Sequence, residues 1–274
     1  MLSLELLGPI RARRDEMVLA VPAGKTRTLL ALLLLEPGAA VSRERMVGEL
    51  WGDVTPPSAA ANLRNYLSKL RLWLANSTHD DDGGRLLIQR RNGWQLALGD
   101  VPVEVDVFAF EKHLERARAA VRAGDPHTAS GRLRRAVTLY RGAPMQDVPQ
   151  GRMLSGRAGA LTAKWLGAVE EYVAVLLELT QYEAARVVLH EFLAGQPYRE
   201  RAWGQLMVAC GNSGDVQGAL RAYATARRGL VDGLGVEPSA ELTNLYQQIL
   251  RGEPAVRLAA SAASAPRRAE PVCS

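Results

Sequence analysis

The sequence predicts a mainly α chain with a small β component: an N-terminal winged helix-turn-helix followed by an all-α, tetratricopeptide-like helical repeat. Three observations predict it. Short alternating apolar segments open the chain, three helical periods and a hairpin signal follow, and two helix pairs repeat in register between residues 169 and 226.

The first strands are read from LSLEL, PIRAR and MVLAV, separated by Gly8-Pro9 and Asp15-Glu16, which suits a small antiparallel sheet. Lys25 to Leu35 is apolar around nearly the whole helical wheel, so that helix has to be buried on several sides, and Pro37-Gly38 ends it. Ser42 then caps a second helix whose Met46, Val47, Leu50 and Trp51 face inward, with Arg43, Glu44, Arg45 and Glu49 outward.

A stiff connector, Gly52 to Pro57, leads to a third helix from Ser58 to about Ala75. Leu63, Tyr66, Leu67, Leu70 and Leu74 form its apolar stripe. Arg64, Asn65, Ser68 and Lys69 project from the other side, flanked by Asn62 and Arg71. Past an acidic stretch, His79 to Gly84, the segment Leu86 to Leu98 reads as a hairpin turning at Asn92-Gly93, with Arg90 and Arg91 beside its tip.

From Val105 to about Leu250 the pattern is helical. Trp203, Leu206, Cys210, Ala219, Tyr223 and Ala226 take the positions where tetratricopeptide repeats carry Trp, Leu, an aromatic, Ala, an aromatic and Ala. Val169, Tyr172, Leu176, Ala185, Leu189, Phe192 and Pro197 form the preceding unit. An earlier pair, Phe108 to Val121 and Thr128 to Tyr140, fits loosely, and Gly142 to Gly156 is an ordered insertion or loop. The tail from Glu253 to Ser274 has no apolar periodicity and reads as disordered. The domains expected are therefore 1–100, 101–252 and a tail, 253–274.

Composition narrows the function. Of the 274 residues, 47% are hydrophobic and 23% charged, the balance of a soluble globular protein. No apolar run approaches the roughly 18–20 residues that cross a bilayer, and no export signal opens the chain, so a cytoplasmic location and no membrane partner are expected. The two cysteines, Cys210 and Cys273, offer neither a disulfide framework nor a metal pair. Net charge of +5 discriminates little, because residues 1–100 carry 13 Lys and Arg against 11 Asp and Glu. Local placement has to carry the argument.

The strand, helix and hairpin order places the third helix in a DNA major groove and the hairpin on adjacent backbone or minor groove. Phosphates need Lys, Arg and small polar donors, and base edges are met by Arg on guanine and Asn on adenine. Arg64, Asn65, Ser68, Lys69, Asn62 and Arg71 supply that chemistry, with Arg90 and Arg91 on the wing. Lys25 and Arg27, at the start of the first helix, are weaker phosphate candidates.

GKT at 24–26 suggests a phosphate loop, but its first glycine falls on Leu19. The histidines, His79, His113, His127 and His190, show no metal-ligand spacing. No catalytic group, metal or cofactor is expected. The competing readings are a repeat-built adaptor that binds protein alone, and a DNA-binding repressor.

The stretches GKTRTLLALLLLEPGAAVS, MVGELWG, TPPSAAANLRNYLSKLR, RRNGW, VEVDVFAFE, YRERAWGQLMVACGNSGDVQGALRAY and GLGVEPSAELTNLYQQIL together resemble the Streptomyces antibiotic regulatory protein family, over about residues 2 to 252. That resemblance implies an OmpR-type winged helix followed by a bacterial transcriptional activation domain. It implies binding to direct repeats in double-stranded promoter DNA by two protomers side by side, recruitment of RNA polymerase holoenzyme, and activation of antibiotic or other secondary-metabolite genes from the cytoplasm, at the nucleoid. The recognition helix falls on Ser58 to Ala75, and the connector with Asp53, Val54 and Thr55 looks like the loop that touches polymerase. The chain departs from relatives at Gln146 to Gly156, which is Gly-rich where they tend to start a helix.

Overall fold

The computed structural model describes residues 1–36, 38–78, 86–98 and 103–252; Pro37, the acidic stretch from His79, and the tail from Glu253 lie outside the described residues. The chain forms two compact units. The first holds Met1–Arg116 and Arg134–Leu166, and the second Ala117–Leu133 with the chain from Gly167.

In the first unit, β1 (Leu2–Glu5), β2 (Arg11–Arg14) and β3 (Met17–Leu19) pair antiparallel, as the alternating pattern predicts. The period-2 alternation sends Leu2 and Leu4 into the core, at 3% and 1% exposure. The sheet has a fourth member that periodicity did not mark: β7 (Val103–Val105) runs parallel to β1, in the order β3-β2-β1-β7. A three-residue strand entering a helix leaves too little pattern to be seen.

Helix α1 (Lys25–Leu34) is buried along its whole length from Leu29 and packs on α2 (Arg43–Trp51), α3 (Ala59–Ser77) and the hairpin. Burial on all sides is what its all-apolar wheel demanded. Ser42 caps α2 by accepting from the Arg45 N–H at 3.2 Å. A second, three-stranded sheet has the order β4-β6-β5, from β4 (Val41–Ser42), β5 (Leu87–Arg90) and β6 (Gly93–Leu96).

The structure departs from the sequence expectation at the hairpin turn and at Glu49. The register pairs Arg90 with Gly93, so the two-residue loop is Arg91-Asn92, and neither Asn92 nor Gly93 takes the positive φ of the turn that the dipeptide predicts. Gly93 is needed for space: a Cβ there would lie 2.0 Å from the Val41 carbonyl oxygen on β4. Glu49, expected on the outer face of α2, is 7% exposed. Its carboxylate accepts from the Met153 N–H at 2.8 Å and the Leu154 N–H at 3.1 Å, capping α6 (Arg152–Glu178).

The insertion is ordered, and it closes on the first strands. Met145 is fully buried, its N–H donating to the Leu6 and Gly8 carbonyls at 2.9 and 2.8 Å, and Ile10 N–H donates to Asp147 at 2.8 Å. Asp106, at the start of α4 (Asp106–Arg122), accepts from Leu6 and Leu7 N–H groups at 2.7 and 2.9 Å. Burial pushes its carboxyl above the usual range despite these donors and Arg141, with Glu5 adding to the rise.

The helical repeat continues through α5 (Pro126–Thr138), α6, α7 (Tyr182–Gly195), α8 (Glu200–Asn212), α9 (Val216–Leu234) and α10 (Ala240–Leu250). In the second unit, Val169, Tyr172, Leu176, Ala185, Leu189 and Phe192 are buried, as are Leu206, Cys210, Ala219 and Ala226. These are ten of the repeat positions read from the sequence; of the others, Trp203 and Tyr223 are half-buried and Pro197 is exposed. Small alanines on α7 and α9 let neighbouring helices approach. Asp215 caps α9 by accepting from Gly218 N–H at 2.7 Å, and Gly235 ends it in the left-handed conformation.

Candidate nucleic-acid interface

Helix α3 divides cleanly by its period. Leu63, Leu67, Leu70 and Leu74 are 2% exposed or less, and Tyr66 is half-buried against Trp51 with ring centroids 6.3 Å apart. At about 25 cal/mol per Å², each buried leucine contributes roughly 1.5–3 kcal/mol, which holds the helix to α1 whatever its outer face carries. Arg64, Asn65, Ser68, Lys69 and Arg71 are exposed on that outer face, and Asn62 is half-buried.

These residues differ in how free they are. The side chains of Arg64, Asn65 and Lys69 make no hydrogen bond or ion pair with any described residue. Ser68 bonds back to the Arg64 carbonyl at 2.9 Å, and Asn62 donates to Ser58 Oγ at 3.1 Å. Arg71 is committed to the hairpin: it donates to the Leu87 carbonyl at 3.2 Å and lies 5.2 Å from the Trp94 ring centroid. It holds the wing against α3.

At the wing, Arg90 donates to Gln95 Oε1 at 2.6 Å, and Gln95 donates to the Gly38 carbonyl at 2.6 Å. Arg91 and Asn92 sit exposed in the loop. The hairpin and the start of α2 form an open cleft of about 350 Å³ whose charged lining is Arg43, Arg90 and Arg91 with one carboxylate, Glu44, beside Asn92. Arg43 belongs with the wing arginines, a grouping that sequence spacing did not reveal. Only the strand pairing of Val41 and Ser42 with β6 brings it there, and Arg43 N–H donates to the Asn92 carbonyl at 3.1 Å.

Lys25 and Arg27 have internal partners. Lys25 donates to the Leu50 carbonyl and lies 4.8 Å from the Trp51 ring centroid. Arg27 bonds the Pro22 and Val21 carbonyls and pairs with Asp147 at 2.8 Å. The connector stands apart from these contacts, with Asp53, Val54 and Thr55 exposed and Val54 at 84%. Gly52, with φ of 59°, turns the chain out of α2. Among the described residues, no cluster of three or more His, Cys, Asp or Glu could hold a metal, and no helix is long and apolar enough to cross a membrane.

Residues 105–250 match the bacterial transcriptional activator domain. Over 258 residues the chain is 31% identical to the regulatory protein DnrI of Streptomyces peucetius, covering 93% of this chain and 94% of that one. It is 30% identical to the transcriptional regulator RedD of Streptomyces coelicolor, over 93% of this chain and 72% of that one. It is 34% identical to the regulatory protein AfsR of the same organism, over 92% of this chain and 24% of that longer one. A solved structure of Mycobacterium tuberculosis EmbR in complex with a low affinity phosphopeptide superposes with a TM-score of 0.84 at 27% identity, over 96% of this chain and 69% of that one. A winged N-terminal region whose third helix turns its polar face outward, joined to a matching activator domain, makes this chain a member of the Streptomyces antibiotic regulatory protein family of transcriptional regulators.

Proposed function

We propose that the protein is a sequence-specific DNA-binding activator, which seats α3 in the major groove at direct repeats upstream of a promoter and recruits RNA polymerase. The observation that carries this reading is the exposed row Arg64, Asn65 and Lys69, unpaired with any described residue and backed by a leucine stripe. Free guanidinium, amide and ammonium groups on a rigid helix are pre-organised for base edges and phosphates. Ser68 and Asn62 extend the row. Arg43, Arg90 and Arg91 form a cationic cleft suited to a phosphate of the flanking backbone.

In this reading Arg71 acts by fixing the wing, and Lys25 and Arg27 by holding the scaffold. The exposed connector Asp53, Val54 and Thr55 faces polymerase, and two protomers on adjacent repeats gain affinity from each other. The genes served are those of antibiotic or other secondary metabolism, the regulator working in the cytoplasm at the nucleoid. What supports the pathway is family membership.

A gel-shift titration across salt tests the binding. Affinity for a promoter fragment falls steeply as salt rises, because each phosphate contact releases a counterion. Arg64→Ala weakens specific binding by about 1–3 kcal/mol while leaving non-specific binding nearly unchanged. A protein that retains no duplex at low salt, or an Arg64→Ala variant indistinguishable from the parent on cognate DNA, overturns the reading. Run-off transcription on the same promoter gives the sign: fewer transcripts on adding the protein would make it a repressor.

A further inference from the structure

The second unit carries a cleft of about 300 Å³ between α7, α8 and α9, walled by Trp203, Leu206 and Cys210 on α8 and by Gly218 and Ala222 on α9. Its origin can be read from the repeat. The tetratricopeptide pattern places Trp, Leu and then a tyrosine on the first helix of each pair, and here Trp203 and Leu206 are followed by Cys210 in the tyrosine position. A thiol stands where the repeat carries a ring, and the facing helix sets the small Gly218 and Ala222 there, with Arg221 and Thr225 also lining the cleft. In the preceding repeat the same position holds Leu176, 1% exposed. The thiol in the place of a larger side chain is thus particular to this repeat.

The rim is polar and solvent-facing. Arg186 is engaged by Glu183 at 3.1 Å and Asp215 at 3.3 Å, so its charge is largely answered. Arg221 is not: it is 73% exposed and its nearest carboxylate, Asp215, stands at 4.0 Å. His190 is exposed beside it and makes no hydrogen bond or ion pair with any described residue. An apolar floor the size of one large side chain therefore lies under an available cation.

We propose that this cleft docks a short acidic segment of a partner protein, one aromatic or leucine side chain entering beside Cys210 while a neighbouring carboxylate pairs with Arg221. The volume is at the lower end of small-molecule sites, and such sites enclose most of their ligand, whereas this rim is open. An open rim suits a side chain whose backbone stays outside. This proposal stands apart from DNA binding by α3.

The test uses the full chain and three fluorescein-tagged hexapeptides: one with a tryptophan flanked by aspartates, one with asparagines replacing the aspartates, and one with alanine replacing the tryptophan. Fluorescence anisotropy is expected to show saturable binding of the first alone. Cys210→Tyr, which fills the void with the ring the repeat normally carries, and Arg221→Glu, on an exposed side chain, each weaken it about tenfold or more. Both variants keep the parent's gel shift, so loss of peptide binding is separable from loss of DNA binding. If Cys210→Tyr fails to fold, Arg221→Glu alone decides. No saturation at millimolar peptide, equal binding of the three peptides, or unchanged binding by a folded variant would overturn the proposal. So would saturation by 4-hydroxyphenylacetate in place of peptide, which assigns the cleft to a small acid, or self-association abolished by Arg221→Glu, which assigns it to a second copy.

Discussion

Gly93 carries no side chain because the Val41 carbonyl occupies the place where a Cβ would sit. Gly93→Ala is therefore expected to push β4 and β6 apart and to cost about 1–3 kcal/mol, read as a lower midpoint of thermal or denaturant unfolding. An unchanged midpoint would mean that β4 yields freely. Single residues also mark where sequence reasoning stopped. The hairpin was legible from Asn92-Gly93, but the physical demand on the glycine came from a strand some fifty residues earlier, which no local pattern encodes. Arg71 shows the same limit. Its place on the polar flank of α3 was legible, yet the Leu87 carbonyl and Trp94 ring that claim it are brought close only by the folded hairpin.

At the scale of elements, the helices were the most legible part, since nine or more residues of period 3.6 leave a signal that a three-residue strand such as β7 does not. The capping of α6 was not legible. Glu49 lies on a polar flank of α2, so periodicity turns it to solvent, whereas two orphan N–H groups at Met153 and Leu154 draw it inward. Gly151 makes room for it, because a Cβ there would meet the Glu49 carboxylate at 2.7–2.8 Å. Glu49→Ala leaves both donors without their acceptor and is expected to cost about 1–2 kcal/mol, with amide hydrogen exchange quickening first at Met153 and Leu154. Exchange that stays slow there would show that the α6 terminus does not depend on this carboxylate.

At the scale of the whole molecule, the first compact unit gathers groups far apart in sequence. Asp106 holds Leu6 and Leu7, Asp147 holds Ile10 and Arg27, and Arg157 pairs with Glu36 at 3.1 Å. Each buried carboxylate-to-backbone bond is worth roughly 1.5–3 kcal/mol. A fragment ending at Leu98 lacks all of them, together with β7. It is expected to melt at least ~10 °C below the full chain by circular dichroism, since 1 kcal/mol moves a small domain by about 4–8 °C. Equal melting would show that the winged region is self-sufficient. The sequence announced winged helix and repeat by their periods, and charge placement announced the face of α3. The ties among remote residues stayed hidden because those of Asp106 and the Ile10 bond depend on backbone donors, which every residue has, and the two ion pairs join charges 120 and 121 positions apart.

The position of β7 bears on how the protein is made. Leu2 to Leu4 pair with Val103 to Val105, so the strand beside the N-terminus is translated only after the wing hairpin. While the ribosome is still reading the intervening codons, one edge of β1 has no mate, and Leu6 and Leu7 wait for the aspartate that will receive their amides. Synthesis halted before that point would release a polypeptide with an open edge, able to pair with another copy or to be degraded.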